Sequence, residues 1–222
     1  MQTVNRQQAV SLITDMASRY IQVHGSAPRT IIVVGGTAMA MRGLRDESND
    51  VDIFYPDDAF APIAEDIEKR SGFRIDVTSK TNLWGSLRIH DIEQDAEVLE
   101  SLEIEGFTID IAAISPETLF VIKASSMRNK DRDDLPLLAP VVTPQGILYR
   151  ASVLLQHTES RSMQEDVLSN ILSEMQLAYM DVAKPEWFSQ APALTRKYGP
   201  FIADQFGVNL ISTAVPLPEM GP

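Results

Sequence analysis

The 222-residue sequence contains no cysteine, which excludes disulfide bridges and thiolate metal sites and agrees with a reducing compartment. Long apolar runs are also missing. None approaches the roughly 18 residues needed to span a bilayer, and the opening MQTVNRQQAV lacks the charged and apolar regions of a secretory leader. A cytoplasmic protein that does not enter a membrane is expected. Basic residues are scarce: 19 Lys and Arg face 31 Asp and Glu, a net charge of −12. That balance argues against a broad, non-specific grip on a nucleic-acid backbone, because too little counterion release would drive it. A local basic groove is still compatible with it. The three histidines, His24, His90 and His157, stand alone without metal-ligand spacing. Repeats and low-complexity tracts are absent. The length suits one domain with a sizeable core, or a catalytic domain followed by a small helical one.

What is present is concentrated in residues 30–55, TIIVVGGTAMAMRGLRDESNDVDIFY. Ile31, Ile32, Val33 and Val34 form a β-branched run suited to a strand buried on both faces. Gly35 and Gly36 end it, and a short helix headed by the Thr37 hydroxyl is expected next. Asp50 and Asp52 flank Val51 at the start of a second strand. Residues i and i+2 of a strand point to one side, so the two carboxylates share a face while Val51 enters the core. Paired carboxylates repel, and a cation between them removes the cost. A glycine turn at a helix start beside such a pair is a place for a polyphosphate.

The remainder predicts an N-terminal helix over residues 5–24, a helix over 59–71 stopped by Gly72, a strand over 73–77, an irregular stretch over 78–94 with a short strand near 87–89, and a hairpin of 98–105 and 107–114 turning at Gly106. Ser115 reads as an N-cap, with Pro116 in the first turn of a helix reaching about residue 127. A dense charge cluster, 128–134, follows. Beyond it only helices are evident, over 145–159 and 162–182, and then a proline-rich tail that packs to about residue 211 and frays afterwards. Strands and helices alternate before residue 140 and helices alone follow. The expected organisation is therefore an α/β (α+β) catalytic domain over 1–140, with a mixed sheet flanked by helices, and a helical C-terminal domain over 141–222.

Gly35-Gly36-Thr37, a twelve-residue gap and Asp50-Val51-Asp52-Ile53 resemble the signature of the nucleotidyltransferase superfamily, whose catalytic domain is similar to that of DNA polymerase β. GGTAMAMRGLRDESNDVDIF with LFVIKASSMRNKDRDDLPLL is most similar to the bacterial branch that includes AbiEii-type toxins of abortive-infection and toxin–antitoxin systems. The resemblance covers residues 30–138. It implies transfer of a nucleoside monophosphate from ATP or another NTP to an acceptor hydroxyl, with two Mg²⁺ ions as cofactor. The acceptor it implies is a tRNA or other RNA 3′ end or a protein, and an antitoxin is an implied partner. Asp50 and Asp52 would hold the metals and the triphosphate. Asp110, in FTIDIAAI, stands where the family's third carboxylate is expected. Gly35, Gly36 and Thr37 would approach the phosphates.

Four further positions carry two readings each. Lys123, within an apolar helical run, either snorkels to the surface or, as in the resembled branch, joins the active site. Lys130, with Asp131, either contacts phosphate or belongs to a solvated charge run. Arg42 occupies a family-like position but could pair with Asp46 or Glu47. Met39 and Met41 read as core packing. Two alternatives stand beside transfer to RNA or protein. One is transfer to a cationic small molecule such as an aminoglycoside, which the acidic surface would suit. The other is a non-catalytic module that binds nucleotide or a partner protein.

Overall fold

The computed structural model describes residues 2–55, 58–79, 89–126 and 128–210. The chain divides into two compact units, Met1–Leu119 and Phe120–Pro222. Among the described residues no helix is long and apolar enough to cross a membrane.

The first unit opens with a short strand, β1 (Val4–Asn5), and helix α1 (Arg6–His24). Asn5 caps the helix: its side chain accepts from Gln8 N–H while the Gln8 side chain accepts from Asn5 N–H. Gly25, at φ 68°, closes it in the left-handed conformation that glycine tolerates. Then come β2 (Thr30–Val33), α2 (Gly35–Met41), β3 (Glu47–Ser48), β4 (Val51–Phe54), α3 (Phe60–Ser71), β5 (Ile75–Thr78), α4 (Ile89–Asp95), β6 (Glu97–Ile104) and β7 (Phe107–Ala113). Strands β5-β4-β2-β7-β6 form one mixed sheet, and β1 pairs with β3 in a separate two-stranded ribbon. β2 runs antiparallel to β4 and parallel to β7, and β4 runs parallel to β5.

This register decides which side chains share a side. Alternate residues face alternate ways, so Ile32, Asp52, Phe54, Asp76, Asp110 and Ala112 project to one side of the sheet. Ile31, Val33, Val51, Ile53 and Ile111 project to the other and are fully buried. Burial of each such chain stabilises by about 1.5–3 kcal/mol relative to exposure. Helices α1 and α3 meet through rings, with Tyr20 stacked on Phe60 at 4.9 Å and Tyr55 tilted against Phe60 at 4.3 Å. The β6–β7 hairpin turns on Glu105 and Gly106 at φ 50° and 83°. Positive φ at both central residues is the type I′ geometry that matches strand twist.

Three local expectations shift. Helix α2 takes in both glycines, starting at Gly35 rather than Thr37. The polar loop after it contributes β3, which β1 recruits through Val4↔Ser48 and Asn5↔Glu47. Of the irregular stretch 78–94, residues 80–88, with Trp84 and Gly85, lie outside the described residues; from Ile89 the chain is helical, not extended. Ser115 does cap the next helix, α5 (Pro116–Ser126): its hydroxyl oxygen accepts from Thr118 N–H at 3.1 Å. Buried Asp95 accepts from both the backbone N–H and the hydroxyl of Ser115, each at 2.8 Å.

The division between units falls within α5. The second unit is helical: α6 (Asn129–Arg132), α7 (Leu135–Leu138), α8 (Pro144–Gln156), α9 (Arg161–Tyr179) and α10 (Pro192–Phe206), with 3₁₀ turns at Ala139–Val141 and Pro185–Phe188. Thr143 and Ser160 cap α8 and α9 by accepting from Gly146 and Met163 N–H. Helix α10 is legible only in hindsight. Pro192 is tolerated in the first turn, where its missing N–H is not needed, but Pro200 inside the helix removes a hydrogen bond. Packing of Leu194, Tyr198 and Ile202 holds it nonetheless. Gln164, buried with Tyr198, is satisfied on both sides: its amide donates to the Thr158 carbonyl at 2.8 Å and accepts from the Tyr198 hydroxyl at 2.7 Å. The fraying expected after residue 211 lies outside the described residues.

Candidate active site

The glycine turn and the Asp-Val-Asp strand are tied together by three hydrogen bonds. Val34 N–H donates to the Asp52 carbonyl at 3.0 Å. The Thr37 hydroxyl donates to the Asp50 carbonyl at 3.0 Å and accepts from Asp52 N–H at 2.8 Å. Thr37 is buried, and its hydroxyl bridges the backbone on either side of Val51. It therefore fixes where the two aspartates leave the strand, a positioning task rather than an open phosphate contact.

The glycines have a steric reason as well. Gly35 sits at φ +55°, and a Cβ there would lie 2.3 Å from Asp52 Oδ2. A Cβ on Gly36 would lie 2.4 Å from Ser48 Oγ and 3.4 Å from Arg45 Nη1. The first glycine admits the Asp52 carboxylate against the helix start. The second admits the ribbon strand β3. Any side chain at Gly35 would fill the space that the carboxylate occupies.

The sheet register puts Asp76, and not the expected Asp110, beside Asp52. Asp76 on β5 is the Cα partner of Asp52, so the two project from neighbouring parallel strands to the same side. Asp76 is exposed, with Arg74 Nη2 at 3.7 Å from its Oδ2. The structure does not bring Asp110 to the same place. Asp110 is level with Thr30 on β2, whereas Asp52 is level with Val34 and lies one strand beyond β2 on the opposite side. Four residues along and two strands across are about 13 Å and about 10 Å, far more than the roughly 4 Å that separates paired catalytic metals. The Asp110 carboxylate instead accepts from Ser101 Oγ at 2.6 Å. A sequence signal for Asp76 exists: β4, α3 and β5 form a strand–helix–strand unit, and the strands of such units are commonly parallel neighbours.

The expected phosphate-contacting cations are placed as follows. Arg42, whose side chain is 12% exposed, donates to the carbonyls of Ala113 and Ile114 at 3.1 and 3.0 Å and pairs with Glu97 at 2.9 Å, not with Asp46 or Glu47. Its guanidinium thereby pins the end of α2 to the end of β7. Lys123 belongs to the second unit and is buried, with Nζ 2.6 Å from Asp134 Oδ2 and 3.4 Å from Asp131 Oδ1. Burial works to raise the Asp131 pKa, but hydrogen bonds from Ser126 and Arg128 and the charges of Lys123 and Arg128 outweigh it and hold the carboxyl below its ordinary value. Lys130 is exposed and has no partner among the described residues.

Among the described residues no three His, Cys, Asp or Glu side chains converge as a ready-made metal cage. The donor set still suits Mg²⁺, which takes one or two carboxylates, keeps waters and draws its other ligands from substrate phosphates. The Gly35 cradle keeps the Asp52 carboxylate at one place beside the helix start. A mixed five-stranded sheet flanked by helices, with the glycine turn beside the Asp52 strand, is consistent with a nucleotidyltransferase-like fold. Residues 10–142, more than half of the chain, match the family described as nucleotidyltransferase of unknown function (DUF6036), and the chain belongs to that family. Among curated proteins and among solved structures nothing matches the chain. The family match carries the nucleotidyltransferase assignment and says nothing of the abortive-infection branch.

Proposed function

We propose that the chain moves a nucleoside monophosphate from an NTP to an acceptor hydroxyl, with Asp50 and Asp52 as metal-holding residues and Asp76 as the third carboxylate. The observation that carries this reading is the locking of Asp52 between Thr37 and Gly35, with Asp76 as its register partner. Asp50 and Asp52 would hold Mg²⁺ against the triphosphate, and Asp76 would complete the set on the acceptor side. When bound, the metal supplies charge neutralisation at the attacking and leaving oxygens. The acceptor oxygen forms a bond to the α-phosphorus, the bond from the α-phosphorus to the bridging oxygen breaks, and pyrophosphate leaves. Asp76, exposed and on the same side as Asp52, takes the acceptor's proton. Thr37 keeps the two strand aspartates in place, and Arg42 keeps α2 against the sheet.

An RNA 3′ end or a protein hydroxyl is the acceptor this reading favours. The net charge of −12 supports a cationic small molecule as the second candidate. Incubation of the full chain with each α-labelled NTP and Mg²⁺, in separate reactions with total RNA, total protein and an aminoglycoside, tests both. Label in the RNA or protein fraction supports the first and label in the aminoglycoside the second. Nucleotide binding without transfer to any of them would sink the enzymatic reading.

A further inference from the structure

Strand β6 closes one end of the sheet and, among the described residues, pairs with β7 alone. Sheet edges are commonly blunted by short strands or by bulges. β6 is eight residues long, against four each in β2, β4 and β5. Its register shift lies between Val98 and Glu100, which leaves residues 100–104 in unbroken register with 107–111. The pairing also shows which backbone groups face outward. Asp110 N–H donates to the Arg29 carbonyl at 2.9 Å, so Asp110 turns its backbone toward β2 and away from β6. By alternation Thr108 does the same. Their β6 partners, Ser101 and Glu103, are therefore the non-hydrogen-bonded positions of the ladder and direct their own N–H and C=O to the free edge. No described residue meets these four groups, and both residues are exposed. Helix α1 reaches the Ile111 side of the hairpin, where Arg6 lies 3.4 Å from Glu100, and leaves the edge open.

The charge along this edge has one sign. Residues 89–122 contain nine Asp and Glu and no Lys or Arg. Arg6 and Arg42 come from outside that stretch to pair with Glu100 and Glu97. Glu103 and Glu105 meet no cation among the described residues: Glu103 accepts from the Thr108 hydroxyl at 2.5 Å and Glu105 from the Gln22 amide at 3.2 Å. A second copy of the edge would set glutamates against glutamates, and like charges directly opposite destabilise a strand pair. A strand bearing Lys or Arg would set opposite charges together and satisfy the four open backbone groups, as extended peptides do when they add to sheet edges. We propose that β6 is a docking edge for an extended, Lys- or Arg-bearing segment of a partner protein, which adds as a sixth strand beside residues 100–104. The surface is separate from the Asp52 site, since β6 lies three strands from β4. The proposal does not depend on the transfer reading.

The probe is a short peptide in which Lys alternates with Val and Thr, titrated into the full chain with amide exchange and chemical shifts followed by NMR. Two further peptides serve as controls. One is N-methylated at every residue, which keeps the charges but donates no backbone hydrogen bond; the other carries Glu in place of Lys. The Lys peptide should bind and slow exchange at the Ser101 and Glu103 N–H groups at least about tenfold. Both controls should bind at least about tenfold more weakly. Ser101→Pro removes one outward N–H at an edge position, where proline is tolerated, and should weaken the Lys peptide by a similar factor. Glu103→Lys combined with Glu105→Lys, at exposed positions, should lose the Lys peptide and bind the Glu peptide; this pair and the methylated peptide decide the matter if Ser101→Pro fails to fold. Equal affinity for the methylated peptide, or undiminished binding by folded Ser101→Pro, would mean attraction by charge without strand addition and would overturn the proposal. So would no binding of the Lys peptide, or binding without protection of Ser101 and Glu103. Protection of these two amides in the free chain that disappears on dilution would make a second copy the occupant and overturn it as well.

Discussion

Gly35→Ala is the substitution with the most closely defined consequence. Two physical effects add at this position. The backbone sits at φ +55°, where a Cβ costs about 1–2 kcal/mol. The new Cβ also lies 2.3 Å from Asp52 Oδ2, and real Cβ contacts do not fall under 3.0 Å, so the carboxylate has to retreat. Turning that side chain off its rotamer adds roughly 0.5–1.5 kcal/mol. The variant should therefore lose about 1.5–3.5 kcal/mol of stability, read by denaturant unfolding followed by circular dichroism, while still folding. Misplacement of a reacting group by about 1 Å costs on the order of a hundredfold in rate, so transfer from labelled NTP should fall by about that factor or more. Gly36→Ala is the comparison: its Cβ meets the rotatable Ser48 Oγ rather than the Asp52 carboxylate, so it should leave the rate closer to wild type. A folded Gly35→Ala protein with wild-type stability and transfer rate would refute the argument that this glycine exists to seat Asp52.

Three further outcomes follow from the same geometry. Thr37→Val removes the bridge between Asp50 C=O and Asp52 N–H; it should cost about 2 kcal/mol and reduce transfer, with Thr37→Ser close to wild type, and an unaltered unfolding midpoint in Thr37→Val would contradict the bridge. Arg42→Met leaves the Ala113 and Ile114 carbonyls without their donor; it should lower stability by about 2 kcal/mol with the KM for NTP unchanged, whereas a raised KM at unchanged stability would mark Arg42 as a phosphate ligand. The Asp131 carboxyl is held below its ordinary pKa in the folded chain. Its stabilising contribution is therefore complete above the unfolded value of about 4 and is lost as pH falls below it. Denaturant midpoints measured between about pH 6 and about pH 3 should fall less steeply in Asp131→Asn than in wild type; parallel curves would contradict the buried pair.

Local structure was legible wherever neighbouring residues decide it. Ser115 caps α5, and the hairpin turns at Gly106. The Asp-x-Asp pattern was legible because period-two alternation is local. The third carboxylate proposed above was not, because Asp76 in RIDVT and Asp110 in TIDIA are alike as sequence: an aspartate between apolar residues on a strand with one wet side. Strand order separates them, and strand order is a long-range property. Helix α10 was hidden by its own prolines, whose local penalty is outweighed by the burial of Leu194, Tyr198 and Ile202. The roles of Thr37 and Arg42 were misleading in sequence for a related reason. Both residue types bind phosphates readily, and only the fold reveals the carbonyls and N–H groups that each already engages.

The central claim is that the reacting carboxylates are those of β4 and β5, set by the pairing of Asp52 with Asp76. Label transfer from NTP by folded Asp76→Asn and folded Asp110→Asn, measured side by side, tests it most directly. Transfer should fall by at least about a hundredfold in Asp76→Asn and stay near wild type in Asp110→Asn. The opposite pattern, activity kept without the Asp76 carboxylate and lost without that of Asp110, would contradict the account.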